Sequence, residues 1–216
     1  YVEANSDAPA TMRKVVHLAG VLNNGVATLF VDGKKQSSPK KLAQAFRPSP
    51  FPICIGADLQ SSGGAHHHFS GRIDELRISK VARYQADFPP PEDRFAPDPE
   101  TLALYHCDEG AGNVLVDSSG HARHGQIINA RWSRADDPMP VYDGTILPEF
   151  RNELTGLRFD TRESRVEVPD IGLDPTKPYT VEFWTTPTDV LGGSMVHYPG
   201  PQGFTIWRGN QGATLG

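Results

Sequence analysis

Val26-Ala27-Thr28-Leu29-Phe30-Val31, closed by the pair Asp32-Gly33, decides the fold class. β-Branched, aliphatic and aromatic side chains fill this run, and a turn dipeptide ends it, the signature of a strand. Just upstream, Val15-Val16-His17-Leu18-Ala19-Gly20-Val21 leads into Asn23-Asn24-Gly25. An Asn-Gly pair adopts positive φ at low cost, so the two runs predict a β-hairpin.

The same two-residue period recurs outward from this hairpin. It is read in Ile53-Cys54-Ile55, in Gly71-Arg72-Ile73-Asp74-Glu75-Leu76-Arg77-Ile78 and in Leu102-Ala103-Leu104-Tyr105-His106-Cys107. Further runs are Leu157-Arg158-Phe159-Asp160, Ser164-Arg165-Val166-Glu167-Val168, Tyr179-Thr180-Val181-Glu182-Phe183-Trp184-Thr185 and Gly203-Phe204-Thr205-Ile206-Trp207-Arg208. No stretch sustains a helical period, so the chain is expected to be all-β. In residues 71–78, strict alternation puts Ile73 with Glu75 and Arg77 on one face. It puts Asp74 with Leu76 and Ile78 on the other, where a carboxylate needs a partner.

Composition narrows the functional classes. The chain has 216 residues, with 21 glycines and 19 prolines, a turn-rich share that suits antiparallel sheets. The net charge of −5 gives no electrostatic footprint for nucleic acid or an anionic membrane. No apolar run is long enough for a transmembrane helix. Cys54 and Cys107 are the two cysteines, which excludes a thiolate zinc site. A disulfide between them is open, since nothing in the sequence pairs them. Neither end reads as a natural terminus, so any targeting segment would lie outside this sequence.

Residues 83–100 read as a linker. Pro89, Pro90, Pro91, Pro97 and Pro99 favour an extended chain, which at about 3.1 Å per residue spans roughly 50 Å. The expected organisation is therefore residues 1–82, a proline-rich linker over 83–100, and residues 101–216.

Several segments together resemble one family. His17-Leu18-Ala19-Gly20-Val21 with Leu29-Phe30-Val31-Asp32-Gly33-Lys34 is similar to a hairpin of bacterial laminin-G-like, concanavalin A-like domains. Ile53-Cys54-Ile55-Gly56-Ala57-Asp58 and Phe69-Ser70-Gly71-Arg72-Ile73-Asp74-Glu75-Leu76-Arg77-Ile78 resemble the closing segments of those domains. Leu104-Tyr105-His106-Cys107-Asp108-Glu109-Gly110-Ala111-Gly112, Asp117-Ser118-Ser119-Gly120 and His124-Gly125 resemble their opening segments. Leu157-Arg158-Phe159-Asp160, Val166-Glu167-Val168 and Thr180-Val181-Glu182-Phe183-Trp184 continue that likeness. Cys107 departs from the pattern, standing where the family carries a bulky aromatic. The resemblance implies an antiparallel two-sheet jelly-roll sandwich. Its order is inverted: 1–82 resembles the C-terminal half of one laminin-G-like sandwich, and 101–216 the N-terminal half of a second. A fragment cut from tandem domains gives this order. Either the two halves stand apart, or they complete each other as one circularly permuted sandwich.

Related sugar hydrolases share this sandwich, but their chemistry needs two carboxylates facing one cleft, about 5 to 9 Å apart. Asp74 and Glu75 are adjacent and point to opposite faces of a strand, so no catalytic residue is assigned. The resemblance implies a structural calcium where first and last strands meet, with Asp74, Asp108 and Glu109 as metal ligands. The alternative is a hydrogen-bonded Asp74 with Asp108 capping a turn. Asp117 fits an Asx turn better than a ligand role. His66-His67-His68 alternates in direction and reads as a solvated loop patch.

The aromatics Trp132, Trp184, Trp207 and Tyr198 are the candidates for a sugar-stacking platform. Trp184 is expected in core or inter-sheet packing, whereas Trp207 and Tyr198, near Pro/Gly loops, are the expected ligand contacts. The functional expectation is a non-catalytic module binding a glycan or glycoprotein. Its setting is extracellular, cell-surface or periplasmic, beside neighbouring domains of the same parent chain. A structural spacer or adhesion module without a sugar ligand is the alternative, and an accessory part of a glycoside hydrolase the third.

Overall fold

The computed structural model describes residues 4–7, 14–41, 51–60, 64–134, 156–188, 192–199, 204–209 and 212–215. The strands in chain order begin with β1 (Ala4–Asn5), β2 (Val16–Asn23), β3 (Val26–Val31), β4 (Lys34–Lys35), β5 (Lys40–Lys41) and β6 (Ile53–Ile55). Next come β7 (Asp58–Leu59), β8 (Ala65–His66), β9 (Gly71–Ser79), β10 (Thr101–Tyr105), β11 (Val114–Leu115), β12 (Gly125–Ile128) and β13 (Arg131–Ser133). The last are β14 (Gly156–Phe159), β15 (Arg165–Val168), β16 (Tyr179–Pro187), β17 (Gly193–Tyr198), β18 (Phe204–Gly209) and β19 (Gly212–Leu215). No helix occurs among the described residues.

Two antiparallel sheets result. Sheet A runs β1-β19-β18-β17-β6-β15-β12-β11, and sheet B runs β13-β14-β9-β16-β2-β3-β4, with β10 also on β9 and β5 also on β3. The ribbon β7-β8 stands apart from both. Strands from before and after residues 83–100 interleave: β16 lies between β2 and β9, and β6 lies between β15 and β17.

Alternation explains how the faces are assigned. Along β2, Val16, Leu18 and Leu22 enter the main core, while Ala19 and Val21 join a second cluster on the other side. Along β16, Tyr179, Val181 and Phe183 enter the main core. From sheet A, Ile53, Ile55, Val166, Val168, Val196, Phe204 and Ile206 close the same core, giving a β-sandwich. The sheets meet closely at Gly20, where an added Cβ would lie 3.1 Å from Leu215 and 3.2 Å from Ile206. The hairpin turn of β2-β3 is at Asn24 (φ 48°) and Gly25 (φ 72°), the positive-φ pair its sequence predicts.

Residues 83–100 do not span free solvent. They fold back as a strap over the outer face of sheet B, where Ala82, Tyr84 and Phe88 pack on Ala19, Val21 and Phe30. The Phe88 amide donates to Gly33 O at 2.9 Å, and Phe95 is buried. Arg83 clamps Asp98 through two bonds of 2.8 Å, closing the strap on itself. The prolines keep the segment out of the ladders, but its aromatics give it a surface to bury. That hydrophobic gain outweighs the extended preference read from composition.

Two face assignments change for a similar reason. Glu75 sits at φ 47°, and the β9-β16 register shifts between Glu182 and Trp184. This bulge adds one residue to the period, so Ile73, Leu76 and Ile78 share the core and Asp74 is out of phase with them. Trp184 follows Glu182 in phase and lies beside His17, ring centroids 5.1 Å apart, on the strap side rather than between the sheets.

Candidate functional site

The strap side of sheet B holds a closed polar network. Glu182 is wholly buried, and Arg77 Nη2 lies 2.8 Å from its Oε1 while Tyr84 Oη donates to Oε2 at 2.7 Å. His17 Nε2 is 3.4 Å from the same Oε2. Burial would raise the Glu182 pKa, but His17, Arg77 and Tyr84 together hold it below its ordinary value. This network binds the strap to the sheet, with both His17 ring nitrogens buried and outside hydrogen-bond geometry.

The expected metal residues come together only in part. Asp74 is pushed well above the usual carboxylate range by burial, and then by Glu75 and Asp108. Glu109 Oε1 accepts from the Val116 amide at 2.7 Å, and its buried Oε2 has no hydrogen-bond partner. Those two features fit a cation. Asp108, by contrast, is engaged by Arg94, whose Nη2 is 2.6 Å from Oδ2. Glu75 is not a solvated acid: His106 Nδ1 lies 3.0 Å from its carboxylate, and the Phe95 amide donates to it at 3.0 Å. Among the described residues, no group of three or more His, Cys, Asp or Glu is arranged to hold a metal. Asp117 organises its own loop, accepting from Ser119 N and Arg123 N at 2.9 Å each and from Leu104 N at 3.1 Å.

Both cysteines are free and buried, Cys107 in the main core and Cys54 on the outer side of sheet A. Burial pushes the Cys54 thiol up to about 12, so it is inert as a nucleophile at neutral pH.

The outer face of sheet A carries the best-formed accessible cluster. Glu167, Cys54, His197 and Thr205 stand opposite one another across β15, β6, β17 and β18. The β7-β8 ribbon lies over this row, with Ala57, Leu59 and Ala65 covering Cys54. Asp58 joins two imidazoles there: His67 Nδ1 is 2.8 Å from Oδ2, and His197 Nδ1 is 3.3 Å from Oδ1. His197 Nδ1 also lies 2.7 Å from the Thr205 hydroxyl. The Trp207 and His67 rings stand nearly perpendicular, with centroids 5.0 Å apart. Ser194 N donates to His67 O at 2.8 Å, anchoring the ribbon to β17. His67 holds φ 48°, a left-handed conformation that bulky residues rarely adopt and that clusters at binding sites.

Of the two expected ligand contacts, Trp207 belongs to this face and Tyr198 does not. The β17-β18 register shifts between Ser194 and Val196, so Met195 and Val196 both reach the core and Tyr198 follows Val196 inward. Tyr198 is 4% exposed and stacks on Phe204 at 5.7 Å, which leaves no ring face for a sugar. Trp132 is also occupied, its indole Nε1 donating to Gly112 O at 2.9 Å. Asp58, His67, His197 and Thr205 escape sequence reasoning because register and the ribbon unite positions up to 147 residues apart (58 to 205). The His66-His67-His68 run was the one visible signal.

No helix among the described residues is long and apolar enough to cross a membrane. No curated protein matches the chain, and no solved structure does. Residues 1–87, which supply the β2-β3 hairpin, the Asp58–His67 ribbon and the closing strand β9, match the family model described as the concanavalin A-like lectin/glucanases superfamily, the laminin-G type.

Proposed function

We propose that the chain is a non-catalytic carbohydrate- or glycoprotein-binding module whose ligand lies on the outer face of sheet A. The carrying observation is the juxtaposition of the half-buried Trp207 indole with the Asp58 carboxylate and its two imidazoles. An indole offers a stacking face to a sugar ring, and a carboxylate accepts from vicinal hydroxyls. Glu167, the other acid on this face, is held by Arg165 at 2.8 Å. Among the described residues, that leaves Asp58, with Oδ1 buried and Oδ2 on His67, rather than the acid pair that glycoside hydrolysis requires.

Laminin-G-like domains are generally lectin-like modules and typically extracellular, which favours a secreted or cell-surface setting for this one. Calcium at Asp74 and Glu109 belongs to the same reading, as a structural ion at the junction of the closing and opening segments. So does the permuted order: residues 1–82 and 101–216 act as closing and opening halves of one sandwich.

A glycan-array screen of the purified chain, with calcium and with chelator, tests the function. Selective binding supports it. Silence in both arms from a folded chain transfers the assignment to a structural spacer or adhesion module, and turnover of a β-glucan would make it a hydrolase.

A further inference from the structure

We propose that the Asp58–His67–His197 cluster is a proton-operated latch that closes the Trp207 face on acidification. The inference rests on the glycan-binding reading and adds its regulation. Asp58 comes from the ribbon strand β7 and His67 from the segment just after β8, while His197 comes from β17 of the sheet below. The carboxylate meets His67 Nδ1 through Oδ2 at 2.8 Å, while His197 Nδ1 lies 3.3 Å from the buried Oδ1, which has no hydrogen-bond partner.

With a neutral imidazole, His67 Nδ1 has an ordinary hydrogen bond to offer Oδ2, and that oxygen retains acceptor capacity for ligand hydroxyls. A protonated His67 makes a charge-assisted bond, about twice as strong, and Oδ2 is then drawn into the cluster. The charge of the Asp58–His67 pair moves from one negative to zero as one proton binds. Burial holds His197 neutral to lower pH, against the opposing pull of Asp58, whereas the His67 side chain is 61% exposed.

The other groups facing the cluster do not short-circuit it. His66 and His68 flank His67 on the ribbon arm, and His66 lies 6.5 Å from it, ring to ring. Burial lowers the pKa of His68. From below come Cys54 of β6, a neutral thiol, and the internally paired Arg165 and Glu167 of β15. From β18 come Thr205 and Trp207, which carry no charge. His67 is thus a positioning residue for Asp58, placed where its proton is read by the neighbouring indole.

The test has a ligand-free and a ligand-bound arm. Tryptophan emission is followed from neutral pH to pH 5 in the wild-type chain and in His67→Gln, which keeps a donor to Asp58 but does not titrate. An imidazolium beside an indole quenches it. A drop in emission in the wild type that is lost in His67→Gln is expected; a flat trace, or an equal drop in both, overturns the latch. The glycan array is then run at about pH 7.5 and pH 5.0 on both proteins, and wild-type hits are expected to weaken about tenfold in acid, with a flattened profile in the variant. Hits of equal strength at both pH values overturn the gating while leaving the glycan reading intact. An array silent at both pH values overturns the glycan reading and the ligand half of the latch, and the emission step alone then decides whether the cluster closes.

Discussion

Arg77 on β9 sets its Nη2 2.8 Å from Oε1 of Glu182 on β16, and Glu182 is wholly excluded from water. The pair links the two strands at the centre of sheet B, beneath the strap. Tyr84 donates to the other oxygen, Arg83 Nε lies 3.8 Å from Oε1 and His17 Nε2 3.4 Å from Oε2, so the buried charge is compensated.

Removing one partner strands the other. Arg77→Ala or Glu182→Ala is expected to cost about 3 to 5 kcal/mol, the range for breaking a buried pair. Glu182→Gln, which keeps the size and part of the hydrogen bonding, should cost less. Urea unfolding with unchanged m-values checks the ordering.

Gly33 decides whether the strap docks. At φ 71°, an added Cβ would lie 1.9 Å from Phe88 O, which is backbone and cannot rotate away. Gly33→Ala should release the Tyr84–Phe88 stack, whose rings lie 3.5 Å apart and nearly parallel. Limited proteolysis is the check: cleavage within residues 83–100 should rise in the variant while the sandwich core persists. Equal resistance in both proteins would mean that the strap does not depend on this contact.

Asp74 and Asp98 bias stability in opposite directions with pH. Arg83 holds the Asp98 carboxyl well below its ordinary value. Its stabilisation is therefore present above the unfolded value of about 3.9 and is lost as pH falls below it. The raised Asp74 does the reverse: its contribution is full below about pH 3.9 and is lost as pH rises through its elevated folded value. In chelator at neutral pH, Asp74→Asn should thus raise Tm, with the gain vanishing in acid. Calcium should raise the wild-type Tm and not that of the variant. A wild-type Tm unmoved by calcium would remove the ion from this account.

Legibility followed sequence locality. The β2-β3 hairpin was readable because turn chemistry and alternation agree within a few residues. The strap was not, because its docking depends on Phe88 meeting Gly33 and Phe30, positions more than fifty residues away (33 to 88). Strict alternation also failed at Glu75 and near Met195, where a single bulged residue reverses the faces that follow. That is why strict alternation puts Asp74 with Leu76; the expectation for Tyr198 comes instead from its place near Pro/Gly loops, a cue that carries no facing. Trp207 is singled out in the sequence by its place near Pro/Gly loops, but Asp58 and His197 carry no local mark, since only cross-strand register brings them together.

The proposed function puts the glycan on the Trp207 indole. Each of the three tryptophans gives one indole N–H signal in a two-dimensional NMR spectrum, assignable by single Trp→Phe variants. Titration with an array-selected oligosaccharide should shift the Trp207 signal and leave Trp132, bonded to Gly112, and Trp184, beneath the strap, in place. Movement of Trp132 or Trp184 with Trp207 unmoved would contradict the assignment and put the ligand on another face.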